Sequence, residues 1–146
     1  DIVHRDLKPH NILINEHDLV KIVDFGLAAG VSPTDSRLTQ RSARMGTPAY
    51  MAPEQVRGGS VDPRTDIYSL GIIMYELFTG TTPYVGHDPI EIALQHVQGT
   101  PKPPSAHAPD LPPALEAVML KAMAMQPDDR FQSMDTLRET LAALAV

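Results

Sequence analysis

Apolar and polar positions change period along this chain, and the changes mark its elements. Ile12-Leu13-Ile14, the polar turn Asn15-Glu16-His17-Asp18 and Leu19-Val20-Lys21-Ile22-Val23 read as two short strands joined by a four-residue turn. Leu27 to Arg44 has neither strand nor helix period and is rich in Ser, Thr, Gly and Arg, which predicts a mobile surface loop. Val56 to Arg64 reads as a further loop bearing Gly and Pro, after which Thr65 is placed to cap a helix starting at Asp66. From Ile67 to Phe78 that helix is apolar almost all round, the mark of a helix buried in a core. Its roughly twelve residues, interrupted by Glu76, fall short of the roughly twenty that cross a bilayer.

Gly80 closes this helix, and Asp88-Pro89 opens another that sets Ile90, Ala93, Leu94 and Val97 on one face as far as Gly99. Six prolines between Thr100 and Pro113 keep that stretch extended. Leu115, Val118, Met119, Ala122 and Met123 have helical spacing until Pro127, and Ser133 starts a last helix through Leu137, Leu141 and Leu144. The methionines are expected in the core. The predicted class is α+β, a mainly helical lobe with one short β-hairpin near its start.

Composition narrows the setting. The 146 residues, 42% of them hydrophobic, suffice for one modest domain. The absence of cysteine fits a reducing compartment, so the expected location is cytoplasmic. A net charge of −6 without a basic cluster argues against nucleic acid or an anionic membrane surface as the main partner. The six histidines have no metal-ligand spacing on one helix face and read as solvated or structural residues. A first residue of Asp directly before a chemistry-bearing motif sets the expectation that this is a piece of a longer chain.

That motif carries the chemistry. Within eight residues it sets a carboxylate (Asp6), an ammonium (Lys8) and a carboxamide (Asn11) on a segment that Pro9 keeps out of helix. The hairpin returns the chain, so that Asp24 arrives beside Asn11. A carboxylate and a carboxamide oxygen together are hard-oxygen ligands of the kind Mg²⁺ accepts when nucleotide phosphates complete its shell. His4-Arg5-Asp6, Lys8, Asn11 and Asp24-Phe25-Gly26, in this order and spacing, resemble the catalytic loop and metal-binding motif of protein kinases. The resemblance implies ATP with Mg²⁺, or Mn²⁺ in its place. Asp6 would accept the substrate hydroxyl proton, Asn11 and Asp24 would ligate the metal, and Lys8 would place a charge near the transferring phosphoryl group. Lys at that position resembles the serine/threonine group, and His4 is implied as a packing residue of the loop.

The resemblance continues through residues 1–146, which read as a partial protein kinase domain closest to bacterial Hanks-type kinases. Leu27 to Arg44 resembles an activation segment in which Ser32, Thr34, Ser36, Thr39 and Ser42 are candidate phosphorylation sites, Thr39 first, with Arg5 as the cation for its phosphate. Gly46 to Glu54 resembles the segment that docks a peptide substrate and ends in Ala-Pro-Glu. In it Thr47 would contact Asp6 and Lys8. By the same resemblance Asp66 holds the backbone of the catalytic loop, Arg130 pairs with Glu54, and the Asp88 to Gln98 helix docks substrates or partners.

No Gly-rich phosphate loop, strand lysine, pairing helix glutamate or adenine hinge is present in the sequence. Neither are the two helices that usually precede the catalytic loop. The chain alone is therefore expected to be inactive, with apolar surface exposed on its central helix. Implied partners are proteins with Ser or Thr acceptors, and a second copy of the parent for autophosphorylation; an anchor beyond Val146 belongs to the same expectation. The rival class is a noncatalytic interaction module on a kinase-like scaffold, disfavoured because Asp6, Asn11 and Asp24 are all kept. A small-molecule phosphotransferase is disfavoured by Lys8 and by the segment Gly46 to Glu54.

Overall fold

The computed structural model describes residues 2–25 and 48–144, and in them a two-stranded antiparallel hairpin precedes five α-helices. Strand β1 (Ile12–Ile14) pairs with β2 (Val20–Ile22), Ile12 opposite Ile22 and Ile14 opposite Val20. The Asn15 side-chain oxygen closes the turn by accepting the N–H groups of His17 and Leu19, both at 2.9 Å. Asp18 takes the left-handed backbone the turn needs, at φ 58°, a conformation Asp tolerates better than most residues. Leu19 and Val23 fall just outside the paired stretch.

Helix α1 (Pro53–Val56) is a single turn, and α2 (Pro63–Thr79) is the long central helix. It begins three residues before the expected Asp66. The Asp62 carboxylate caps it by accepting the Arg64 N–H at 2.8 Å, with Pro63 in the first helical position. Asp followed by Pro is the stronger start signal, because the carboxylate satisfies a donor that would otherwise lack a partner and Pro has none to satisfy. Thr65 therefore lies inside the first turn and is buried rather than capping. The helix ends where predicted: Gly80 adopts φ 78° and its N–H reaches the Glu76 carbonyl at 2.8 Å.

Ile67, Tyr68, Ile72, Ile73, Met74 and Tyr75 are all buried, so α2 is packed on every side, as its sequence implies. On one side lie Leu7, Ala49, Tyr50 and Ala52 with Met123. On the other lie Val118, Met119 and Ala122 of α4 (Pro113–Ala122), with Phe131 and with Leu137 of α5 (Met134–Leu144). Each such aliphatic or aromatic side chain contributes about 1.5–3 kcal/mol on burial. Gly71 permits the closest approach of α2 to α4, since a Cβ there would sit 2.8 Å from Met123 Cγ and 3.0 Å from Ala122 Cβ. Met74, Met119 and Met123 are in this core, whereas Met134, at the start of α5, is exposed.

Helix α3 (Pro89–Gln98) forms where the sequence predicts, capped by Asp88, but its packed face differs. Ile90 and Leu94 are about half exposed, and the one fully buried residue of the helix is His96. The apolar stripe marked a helix correctly. It did not mark the buried face, because the face of α3 that packs on α1 and on the 3-10 turn Pro48–Tyr50 buries the His96 ring, whose Nδ1 lies 2.6 Å from the Tyr68 hydroxyl of α2. The expected apolar exposure on α2 is found near its end, at Leu77 and Phe78, while its middle is buried; other exposed apolar side chains include Ile2, Val85 and Leu13, Ile14, Leu19 and Val20 of the hairpin.

Candidate active site

The backbone of His4 and Arg5 is fixed by one carboxylate. Asp66, in the first turn of α2, accepts the His4 N–H at 2.7 Å and the Arg5 N–H at 3.0 Å. Arg5 sits at φ 72°, left-handed backbone that costs an L-residue roughly 1–2 kcal/mol. Two hydrogen bonds to a charged acceptor, each about 1.5–3 kcal/mol, outweigh that strain. Gln55 adds a third tie by donating from Nε2 to the Arg5 carbonyl at 2.7 Å. The His4 ring is buried and its tautomer follows from its partners. The Asp6 N–H donates to Nδ1 at 3.2 Å, so Nε2 carries the proton and donates to the Val23 carbonyl at 2.7 Å. Phe25 packs on the same ring, its centroid 4.7 Å away.

The candidate chemical groups stand on this frame. Lys8 Nζ lies 3.4 Å from Asp6 Oδ2; the Asp6 side chain is partly open to the outside and that of Lys8 is mostly covered. Asn11 is buried at the end of a 3-10 turn, Pro9–Asn11, and its amide nitrogen donates to the Asp6 carbonyl at 2.8 Å. That bond fixes the carboxamide and leaves Oδ1 as its acceptor end. The Val23 N–H donates to the Asn11 carbonyl at 2.9 Å, which carries the chain straight from the hairpin to Asp24 beside the loop. Asp24 is exposed and also left-handed, at φ 59°. Asn11 and Asp24 together offer hard neutral and anionic oxygens. Among the described residues no group of three or more His, Asp or Glu forms a closed cage. An oxygen pair that leaves the remaining ligands to phosphate and water suits Mg²⁺ chemistry.

Beneath the loop, Glu54 and Arg130 form a bidentate pair with both N–O distances 2.8 Å. Arg130 is 1% exposed, and all five of its donors are used. Besides Glu54 they reach the carbonyls of Ala124 at 2.7 Å, Arg64 at 3.0 Å and Met125 at 3.1 Å. Thr65 Oγ1 also donates to Glu54, at 2.8 Å. Burial alone would raise the Glu54 carboxyl, but the Arg130 and Thr65 hydrogen bonds hold it below the usual carboxylate range. The segment before Glu54 is anchored too. Ser69 donates to the Tyr50 carbonyl at 2.7 Å, and the Tyr50 hydroxyl donates to Glu76 at 2.5 Å. Burial and the Glu76 carboxylate push the Tyr50 phenol up.

The structure thus brings His4, Arg5, Asp6, Lys8, Asn11, Asp24 and Asp66 around one loop, with Glu54 and Arg130 under it. Thr39 and Thr47 lie outside the described residues. Sequence reasoning overlooked Gln55 and Thr65. Gln55 also accepts the Ala52 N–H at 3.0 Å, a helix-start pattern legible as Gln three residues after the cap position. Thr65 was read as the cap itself. Its tie to Glu54 joins residues eleven apart, which no local pattern signals.

Comparison with known proteins agrees over almost the whole chain. The family described as protein kinase domain matches residues 1–141. The chain is similar to the serine/threonine-protein kinase PknB of Mycolicibacterium smegmatis, 46% identical over 140 residues, which covers 96% of this chain and 22% of that protein. It is similar to PknB of Mycobacterium tuberculosis at the same identity and coverage. A probable serine/threonine-protein kinase PknB of Corynebacterium glutamicum is 46% identical over 148 residues, 99% of this chain and 23% of that protein. The chain therefore spans about a fifth of the length of the curated relatives it matches.

Proposed function

The chain belongs to the protein kinase family, and from that membership we propose that it is the C-lobe part of a serine/threonine protein kinase, transferring the γ-phosphate of ATP to Ser or Thr hydroxyls of proteins. The observation that carries this reading is the convergence of Asp6, Asn11 and Asp24 through the bonds Asn11 to Asp6 and Val23 to Asn11. In the proposed mechanism the Asp6 carboxylate orients the acceptor hydroxyl and takes its proton as the oxygen attacks phosphorus. Lys8, within reach of Asp6, offsets negative charge on the phosphoryl oxygens. Asn11 Oδ1 and the Asp24 carboxylate would hold Mg²⁺, or Mn²⁺ in its place, which when bound neutralises the nucleotide phosphates. Asp66 and the His4 ring hold the loop backbone so that Asp6 points outward without reorganising.

The parts that grip ATP lie outside this sequence, so the activity is assigned to a complete kinase domain that includes these residues. Thr47 would contact Asp6 and Lys8 as the peptide docks. Phosphate on Thr39 would pair with Arg5, whose side chain is exposed at the loop. A second copy of the complete protein is the proposed source of that phosphate. No described helix is long and apolar enough to cross a membrane. The test is γ-phosphate transfer by a complete kinase domain with Mg²⁺, wild type against Asp24→Ala, followed by phosphosite mapping over residues 27–44. Transfer abolished by Asp24→Ala, with phosphate on Thr39, is the expected result. No transfer from a folded complete domain would favour the noncatalytic, kinase-like interaction module instead.

A further inference from the structure

The Gln55 side chain bridges α1 to a loop fifty positions earlier in the chain. Its Nε2 donates to the Arg5 carbonyl at 2.7 Å, and its Oε1 accepts the Ala52 N–H at 3.0 Å. These partners fix which end of the amide is which, since a carbonyl needs a donor and an N–H needs an acceptor. The backbone that carries it is firmly held. Pro53, two residues before it, is buried, and the neighbouring Glu54 is gripped by Arg130. Gln55 itself is half-buried and lies outside both core clusters, so its side chain is not needed to fill the interior.

The Arg5 carbonyl belongs to the peptide unit directly behind Asp6. The N–H of that same unit donates to the His4 ring at 3.2 Å, and Asn11 holds the Asp6 carbonyl on the far side at 2.8 Å. Asp66 acts further back, on the His4 and Arg5 N–H groups. A peptide unit is a rigid plate between soft dihedrals, so a tilt of this one would re-aim the Asp6 side chain. Of the two bonds that resist the tilt, the contact to the His4 ring is long and the Gln55 bond is short. The firmer hold therefore comes from α1.

We infer that Gln55 is a positioning residue for Asp6: from the start of α1 its amide locks the Arg5–Asp6 peptide unit, so that the general base keeps its aim at the acceptor hydroxyl. This deepens the kinase reading and rests on it. It also ties Asp6 to the Ala-Pro-Glu turn, because the amide that holds Arg5 is itself oriented by the Ala52 N–H. A residue that only capped α1 would need Oε1 and would have no use for the bond to Arg5.

The test is a double-mutant cycle in a complete kinase domain containing these residues, with a Ser/Thr acceptor peptide. Gln55→Glu keeps the acceptor for Ala52 and loses the donor for Arg5, whereas Gln55→Met keeps the length and loses both. Each lowers kcat about three- to tenfold, the worth of one hydrogen bond, while the KM values for ATP and peptide stay within about twofold of wild type. In an Asp6→Asn background the same substitutions change the residual kcat by less than about twofold, because Gln55 acts through Asp6. Amide hydrogen exchange adds a readout that needs no turnover: in Gln55→Glu the Asp6 N–H exchanges faster than in wild type and the Ala52 N–H does not. Wild-type kcat in Gln55→Glu overturns the inference and leaves Gln55 a helix cap. An equal loss with and without the Asp6 carboxylate overturns it too, as does unchanged exchange at Asp6. If neither variant folds, Gln55 serves stability and the inference is likewise lost. Absence of any Asp24-dependent transfer in the wild type is a different failure, which removes the kinase reading and leaves the exchange result standing as a fact about the loop.

Discussion

Among single residues, Arg130 has the most at stake in stability and Asp6 in rate. Arg130 has five donors bonded to five acceptors in a site closed to water. Truncation leaves the Glu54 carboxylate buried and unpaired, so Arg130→Ala should lower stability by about 3–5 kcal/mol. Urea unfolding of a complete domain checks this. Arg130→Lys should also be clearly destabilising, because an ammonium cannot match a planar fork that grips a carboxylate and three carbonyls. Asp6 is different, partly open and tied only through its backbone and Lys8. Asp6→Asn should leave stability nearly unchanged and lower kcat by roughly 10²–10⁴, the range for a positioned general base, measured as peptide phosphorylation at saturating ATP. An unchanged kcat would remove Asp6 from that role. These residues could be picked out of the chain because their types and spacings are unusual. That Asp66 holds the loop was implied by the resemblance; that one carboxylate does so by serving both the His4 and the Arg5 N–H, more than sixty positions away, is what the structure adds.

Among elements, α2 sets where everything else stands. Its N-terminal turn supplies Asp66 to the loop and Thr65 to Glu54, its middle buries the core, and Glu76 near its end receives Tyr50. Its contact with α4 depends on the missing side chain at Gly71. Gly71→Ala gains up to about 1 kcal/mol of helix propensity but forces Met123 and Ala122 apart, an overpacking cost of about 1–3 kcal/mol. The balance should be destabilising by about 1–2 kcal/mol and should appear as a lower thermal midpoint; a stabilised variant would mean that α4 yields freely. Element type was legible throughout because long apolar periods and the Gly80 stop are local signals. The start of α2 and the packed face of α3 were not. The first turned on weighing Asp62-Pro63 against Thr65, and the second on a polar residue, His96, occupying a site that periodicity reserves for apolar ones.

At the scale of the whole molecule, protonation ties the fold to pH. His96 has a folded value near 4 against 6.5 unfolded, so burying it neutral stabilises fully above about pH 6.5, and this contribution is lost as pH falls toward 4. Tyr68 and Tyr84 facing it are both pushed up by burial and stay uncharged over this range. Between about pH 7.5 and pH 5 the loss should be about 2 kcal/mol. Glu54, held below 4.5 when folded, adds a second loss at lower pH as it protonates through its folded value. Urea midpoints against pH for a complete domain should fall on the acid side, and His96→Phe should flatten the slope between about pH 6.5 and pH 5. An equal slope in that variant would assign the acid sensitivity elsewhere.

The chain by itself determined the order of elements, the buried character of α2 and the identity of the loop residues, since each depends on side-chain type and on spacings of a few residues. The resemblance already implied that Asp66 holds the loop backbone and that Arg130 pairs with Glu54, and the structure shows both contacts, between residues 61 and 76 positions apart. Only the tertiary structure decided that the single Asp66 carboxylate serves two N–H groups, that Thr65 joins Glu54, and that α3 buries His96 against Tyr68. Residue type and local spacing place no limit on which such side chains meet, so for these the folded packing selects among the partners.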